Sequence, residues 1–188
     1  LALYAAKAAG RNELRFFEPA MAASTRRRLA LEQALREALA RGELHLAYQP
    51  QAAIEGWTIT GFEALARWRH PELGEVPPSE FIPVAEDAGL MPAIGDWVLA
   101  QACRDAAGWP QPLVVSVNVS PAQALGGGFV ERVLAAAADA GLPPARLELE
   151  ITETVLLKET GPTREALAAL RRAGVRIALD DFGTGYSA

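Results

Sequence analysis

The chain has 188 residues, 51% of them hydrophobic and 22% charged, with a formal net charge of −5 and a pI near 5.2. This composition excludes a disordered chain and lets one folded unit bury roughly 70% of its unfolded surface. The acidic balance excludes a DNA or RNA footprint, which requires Lys and Arg in clustered excess.

Cys103 is the only cysteine, so neither an internal disulfide nor a cysteine metal site is available. It lies in LAQACRDAAGW, a helical pattern that predicts a buried structural thiol. No apolar run reaches the ~18 residues of a membrane span, and no signal peptide opens the chain. A cytoplasmic location is expected, with any membrane anchor upstream. The first residue is Leu1 rather than Met, which reads as the removal of an upstream segment.

Residues 24–41, STRRRLALEQALREALAR, predict a helix capped by Ser24 or Thr25, with Leu31, Leu35 and Leu39 on one face and Gly42 as its stop. It reads as a connector, and Arg26-Arg27-Arg28 as its solvated start. Strands are predicted near 43–50, 57–68, 113–119, 145–151 and 175–180, and helices near 78–88, 92–107, 121–140 and 162–173. Strands alternating with helices of this length imply parallel pairing, hence an α/β protein. The first two strands are joined only by AAIEGW, too short for a crossover helix, so they should be antiparallel neighbours.

Strand parity then sorts the side chains. Glu63, Leu65 and Arg67 oppose Phe62, Ala64, Ala66 and Trp68; Ser116 and Asn118 oppose Val115, Val117 and Val119. Likewise Glu148, Glu150 and Thr152 oppose Leu147, Leu149 and Ile151, and Arg176, Ala178 and Asp180 oppose Val175, Ile177 and Leu179. In a barrel ringed by helices the apolar faces meet the helices, which sends Glu63, Asn118, Glu150 and Asp180 into the lumen, with Asp181 at the strand end beside them. Bare carboxylates gathered there would repel one another and resist burial. Divalent cations relieve both problems, and oxygen donors without His or Cys favour Mg²⁺ or Mn²⁺. Two such ions ~3.5 to 4 Å apart form a site suited to phosphoester hydrolysis. Otherwise each acid would pair with an arginine or cap a helix. His45 and His70 match no such position and read as surface or packing residues.

The motifs YQPQ, GFEALARW, FIPVAEDAGL, VNVS, ELEITE and DDFGTGYS, in that order over residues 43–188, resemble the EAL-domain phosphodiesterases that act on cyclic di-GMP. The resemblance implies a modified TIM-type (β/α)8 barrel with an antiparallel first strand, of which this chain holds the N-terminal portion. It implies metal ligands at Glu63, Asn118, Glu150, Asp180 and Asp181, a loop-steadying glutamate at Glu153, and a phosphate-contacting arginine at Arg67. Gln49 and Leu65 would line the nucleotide pocket, Leu65 equally by plain packing. The implied reaction is in-line attack of activated water on one phosphorus, giving linear pGpG.

Residues 1–17, with Tyr4, Lys7, Gly10, Arg11 and Asn12, resemble the end of a GGDEF domain, which gives boundaries of 1–23 for that remnant, 24–42 for the connecting helix and 43–188 for the EAL portion. No cyclase motif is present. A complete barrel takes about 250 residues, and the family pattern continues past Ala188 with a lysine, a second glutamate and a glutamine. Residues 1–188 alone are therefore expected to be inactive. Two unclosed strand edges would invite a homodimer or swapped oligomer. The alternative reading is a degenerate EAL domain that binds cyclic di-GMP without cutting it, or a regulatory scaffold.

Overall fold

The computed structural model describes residues 19–152 and 161–180, with side chains from residue 22 onward. Residues 1–18, 153–160 and 181–188 lie outside that description, and with them the GGDEF-like tail, Glu153 and Asp181.

The first helix, α1, spans Pro19–Arg41. It starts ahead of the expected Ser24 or Thr25 cap, because PAMAA continues the helix backwards: alanine and methionine favour it, and proline is tolerated in a first turn. It stops where predicted. Gly42 takes φ +68, and the amide of Glu43 donates back to Ala38 O at 3.0 Å, closing the helix end. Leu31, Leu35 and Ala38 are buried in the main core, so this half of the helix is part of the domain's packing. The arginine run is not merely solvated: Arg27 pairs with Glu80 and Arg28 with Asp87.

Strands β1 (Leu44–Ala52) and β2 (Ile59–His70) form the expected antiparallel hairpin. Its tip carries Trp57 at φ +53, and both Ile54 and Trp57 are exposed. A short strand β3 (Gly74–Val76), which sequence periodicity is too brief to reveal, folds back on the end of β2. Helices α2 (Pro78–Asp87) and α3 (Met91–Ala107) lead to β4 (Val114–Val119), parallel to β2.

The single helix expected over 121–140 is two: α4 (Pro121–Ala124) and α5 (Phe129–Ala140). Gly126-Gly127-Gly128 separates them, and Gly128 opens α5 at φ +72, a left-handed conformation that glycine adopts without strain. Strand β5 (Leu147–Thr152), helix α6 (Gly161–Arg172) and strand β6 (Arg176–Asp180) complete the sheet. Its order is β1-β2-β4-β5-β6, with β3 on β2, antiparallel only at β1 and β3.

The outward faces of β2, β4 and β5 behave as parity required, whereas Leu179 on β6 is exposed. Ala64, Trp68, Val115, Val117, Leu147, Leu149 and Ile151 are buried against Ile94, Leu99, Cys103, Val133 and Leu170 from the helices. Trp68 is fully buried, donates through Nε1 to Glu43 Oε2 at 3.0 Å and stacks edge-on to Phe81. His70 contacts the same ring, and its Nδ1 accepts from the amides of Glu72 and Leu73, a turn-building role. No helix among the described residues is long and apolar enough to cross a membrane.

Candidate active site

The strand register decides whether the lumen acids meet. Glu63 on β2 lies level with Ser116 on β4, so Asn118 sits two residues further along. Asn118 is level with Glu150 on β5. Thr152, two residues beyond Glu150, is level with Asp180 on β6. From Glu63 to Asp180 the offset is thus about four residues over three strand steps, and the tilt of an eight-stranded barrel absorbs about one residue per step. The remaining mismatch is about one residue, roughly 3.3 Å. In a barrel of that tilt Glu63, Asn118, Glu150 and Asp180 stand at nearly one height.

One hydrogen bond joins two members of this row, and another holds Glu150 from outside it. Asn118 Nδ2 donates to Glu63 Oε1 at 2.7 Å, and Gln51 Nε2 donates to Glu150 Oε1 at 3.2 Å. Beneath them Ser116 Oγ lies 3.1 Å from Gln51 Oε1 and 3.0 Å from Glu148 Oε1, its one proton serving either acceptor. The Glu150 carboxyl is held above the usual carboxylate range, chiefly by burial and then by the charge of Glu63, with Asp180 and Glu148 adding smaller pushes against the opposing Gln51 hydrogen bond.

Gln49 is exposed and directly opposite Glu63 in the hairpin. Leu65 and Arg67 are half-buried on β2 and line a cleft of about 310 Å³ together with Asn118, Ser120, Gln123 and Thr152. Arg67 Nη1 donates to Ala66 O at 2.9 Å. Behind the cleft, Ser120 caps α4 through a reciprocal pair with Gln123, and Gly95 on α3 leaves the space that the Gln123 amide fills.

Do these residues suit a divalent cation? Among the described residues no group of three His, Cys, Asp or Glu side chains is drawn together as a metal-holding cluster. The donor set is nevertheless the right kind, carboxylate and amide oxygens held level. Thr152 Oγ1 is buried beside it with no hydrogen-bond partner among the described residues. Mutually repelling carboxylates and an orphaned hydroxyl fit a hard cation. Sequence parity found the row itself but assigned no part to Gln51, Ser116 or Glu148. Ser116 and Glu148 were visible on the polar faces, and Gln51 shares the parity of Gln49.

A helix-wrapped α/β sheet whose first strand is reversed, with the short β3 folded back on β2 and an acid-lined inner face, is the TIM-barrel-like class of domain. The sequence profile described as "EAL domain" matches residues 32–188, and the chain belongs to that family. An uncharacterized signaling protein of Caulobacter vibrioides is 48% identical over 187 residues, covering 100% of this chain and 23% of that protein. The bifunctional diguanylate cyclase/cyclic di-GMP phosphodiesterase MucR of Pseudomonas aeruginosa is 40% identical over 190 residues, covering 99% of this chain and 28% of MucR. The solved structure of the PaMucR phosphodiesterase in its c-di-GMP complex superposes with a TM-score of 0.79 at 39% identity, covering 85% of this chain and 66% of that one. The chain thus spans less than a third of the length of these curated relatives.

Proposed function

We propose that the protein carrying this chain hydrolyses cyclic di-GMP to linear pGpG, using two divalent cations, Mg²⁺ or Mn²⁺. The observation that carries the reading is the common height of Glu63, Asn118, Glu150 and Asp180 in a chain of the EAL family. Those four would hold the cations together with Asp181, and Glu153 would steady the loop that follows Asp181. The bound cations supply charge neutralisation on the phosphate and activation of water.

The protein's own groups do the rest. The Arg67 guanidinium borders the cleft, and swinging from its Ala66 carbonyl contact would present a fork of donors to a phosphate oxygen. Leu65 offers an apolar wall in the same cleft, and Gln49 a polar edge beside Glu63. Asn118 orients Glu63 by donating to one oxygen, which fixes the carboxylate before substrate arrives.

The sequence match to MucR runs through 99% of this chain. It supports the further proposal that residues 1–23 end a GGDEF domain and that the helix after them leads into the EAL domain, whose profile match begins at residue 32 rather than at the expected 43.

The test is an assay of the full-length protein with cyclic di-GMP and Mg²⁺ or Mn²⁺, with pGpG identified by mass spectrometry. Turnover should vanish with a chelator and fall to background in Glu63→Ala. Tight nucleotide binding without turnover would replace this reading with a receptor, and no binding at all would leave a scaffold.

A further inference from the structure

Gln51 is drawn into the lumen by an unusual absence on its neighbour. In the β1–β2 ladder it faces Gly61. A Cβ at Gly61 would lie 2.5 Å from Val114 O, so β2 and β4 approach here too closely for any other residue. The missing side chain also clears a path. Gln51 crosses over β2, meets the fully buried Ser116 on β4 and reaches Glu150 on β5. Because β1 runs against the other strands, Gln51 arrives from the N-terminal ends of β2, β4 and β5, the side away from the cleft.

Glu150 needs such a tether. Glu63, Asp180 and Glu148 all carry like charge close enough to act on it, and a carboxylate so surrounded would otherwise turn away from its neighbours. The Gln51 amide pins one oxygen, Oε1. When the Ser116 hydroxyl gives its proton to the amide oxygen rather than to Glu148, it sets the amide's orientation and leaves the amide nitrogen to donate to Glu150.

We infer that Gln51 is a positioning residue: anchored by Ser116, its amide holds the Glu150 carboxylate in the orientation that receives a divalent cation. This rests on the proposal that Glu150 is a cation ligand. Residues that hydrogen-bond a metal ligand typically change metal affinity or activity by about 10- to 100-fold when lost.

The experiment measures Mn²⁺ affinity of the full-length protein by titration calorimetry without nucleotide, beside kcat and KM for cyclic di-GMP. The variants are Gln51→Leu, Ser116→Ala, their double mutant and Glu150→Gln. Gln51→Leu should weaken Mn²⁺ binding by about 10-fold or more and lower kcat at fixed Mn²⁺, with KM for the nucleotide unmoved. Ser116→Ala should shift both in the same direction by less, and the double mutant should be no worse than Gln51→Leu, since the two act through one chain of contacts.

Wild-type Mn²⁺ affinity in Gln51→Leu, with affinity lost in Glu150→Gln, overturns the positioning role and leaves the ligand assignment standing. Wild-type affinity in Glu150→Gln overturns both. Should Gln51→Leu fail to fold, Ser116→Ala carries the same decision, because it loosens the amide without touching Gln51 itself.

Discussion

Cys103 is fully buried in α3, and burial pushes its thiol up from an ordinary 9.0 to about 11. The thiolate is the reactive form, so a thiol-specific disulfide reagent at pH 8 should label Cys103 only after denaturant unfolds the chain. The sign of the linkage follows from proton counts. Between pH 9 and about 11 the folded thiol keeps a proton that the unfolded chain releases, so this group's contribution is intact below pH 9 and lost as pH rises towards 11. Urea midpoints of wild type and Cys103→Ala across that range check it: the wild type should lose stability faster. At the same scale Leu35 is buried in the core, and Leu35→Ala should cost about 2 to 5 kcal/mol in the same assay. Arg27→Ala should leave the midpoint essentially unmoved, because the pair with Glu80 is exposed to solvent.

Elements were legible in proportion to how local their causes are. The five long strands show in apolar alternation, and the hairpin in the shortness of its connection. The start of α1 is hard to place because PAMAA carries helical propensity ahead of Ser24, and the break between α4 and α5 is easy to pass over because the segments on either side of it both read as helix. The three glycines at 126–128 were the available signal for the second. The acid row was readable because parity is a property of each strand alone. The reach of Gln51 was not, since it depends on which residue faces it across a ladder, and Gly61 earns that position only through the contact with Val114. Gly95 gives a test of such non-local packing. A Cβ there would fall 2.1 Å from the Gln123 amide, so Gly95→Ala should displace Gln123, open the Ser120 cap next to Asn118, and cost about 1 to 3 kcal/mol in urea unfolding.

The sheet as a whole is ordered β1-β2-β4-β5-β6, and among the described residues the outer sides of β1 and β6 carry no partner strand. Unpaired strand edges seek pairing. Residues 1–188 expressed alone should self-associate in light scattering at micromolar concentration. A fragment that stays monomeric would contradict that expectation. The reversal of β1 has one more outcome for the molecule. The hairpin tip bearing Ile54 and Trp57 points away from the end where Asn118, Glu150 and Asp180 gather. A fluorescent reporter or affinity peptide spliced between Ala53 and Thr58 would therefore ride at the end opposite those acids, two residues from Gln51, and would report on that tether without entering the cleft.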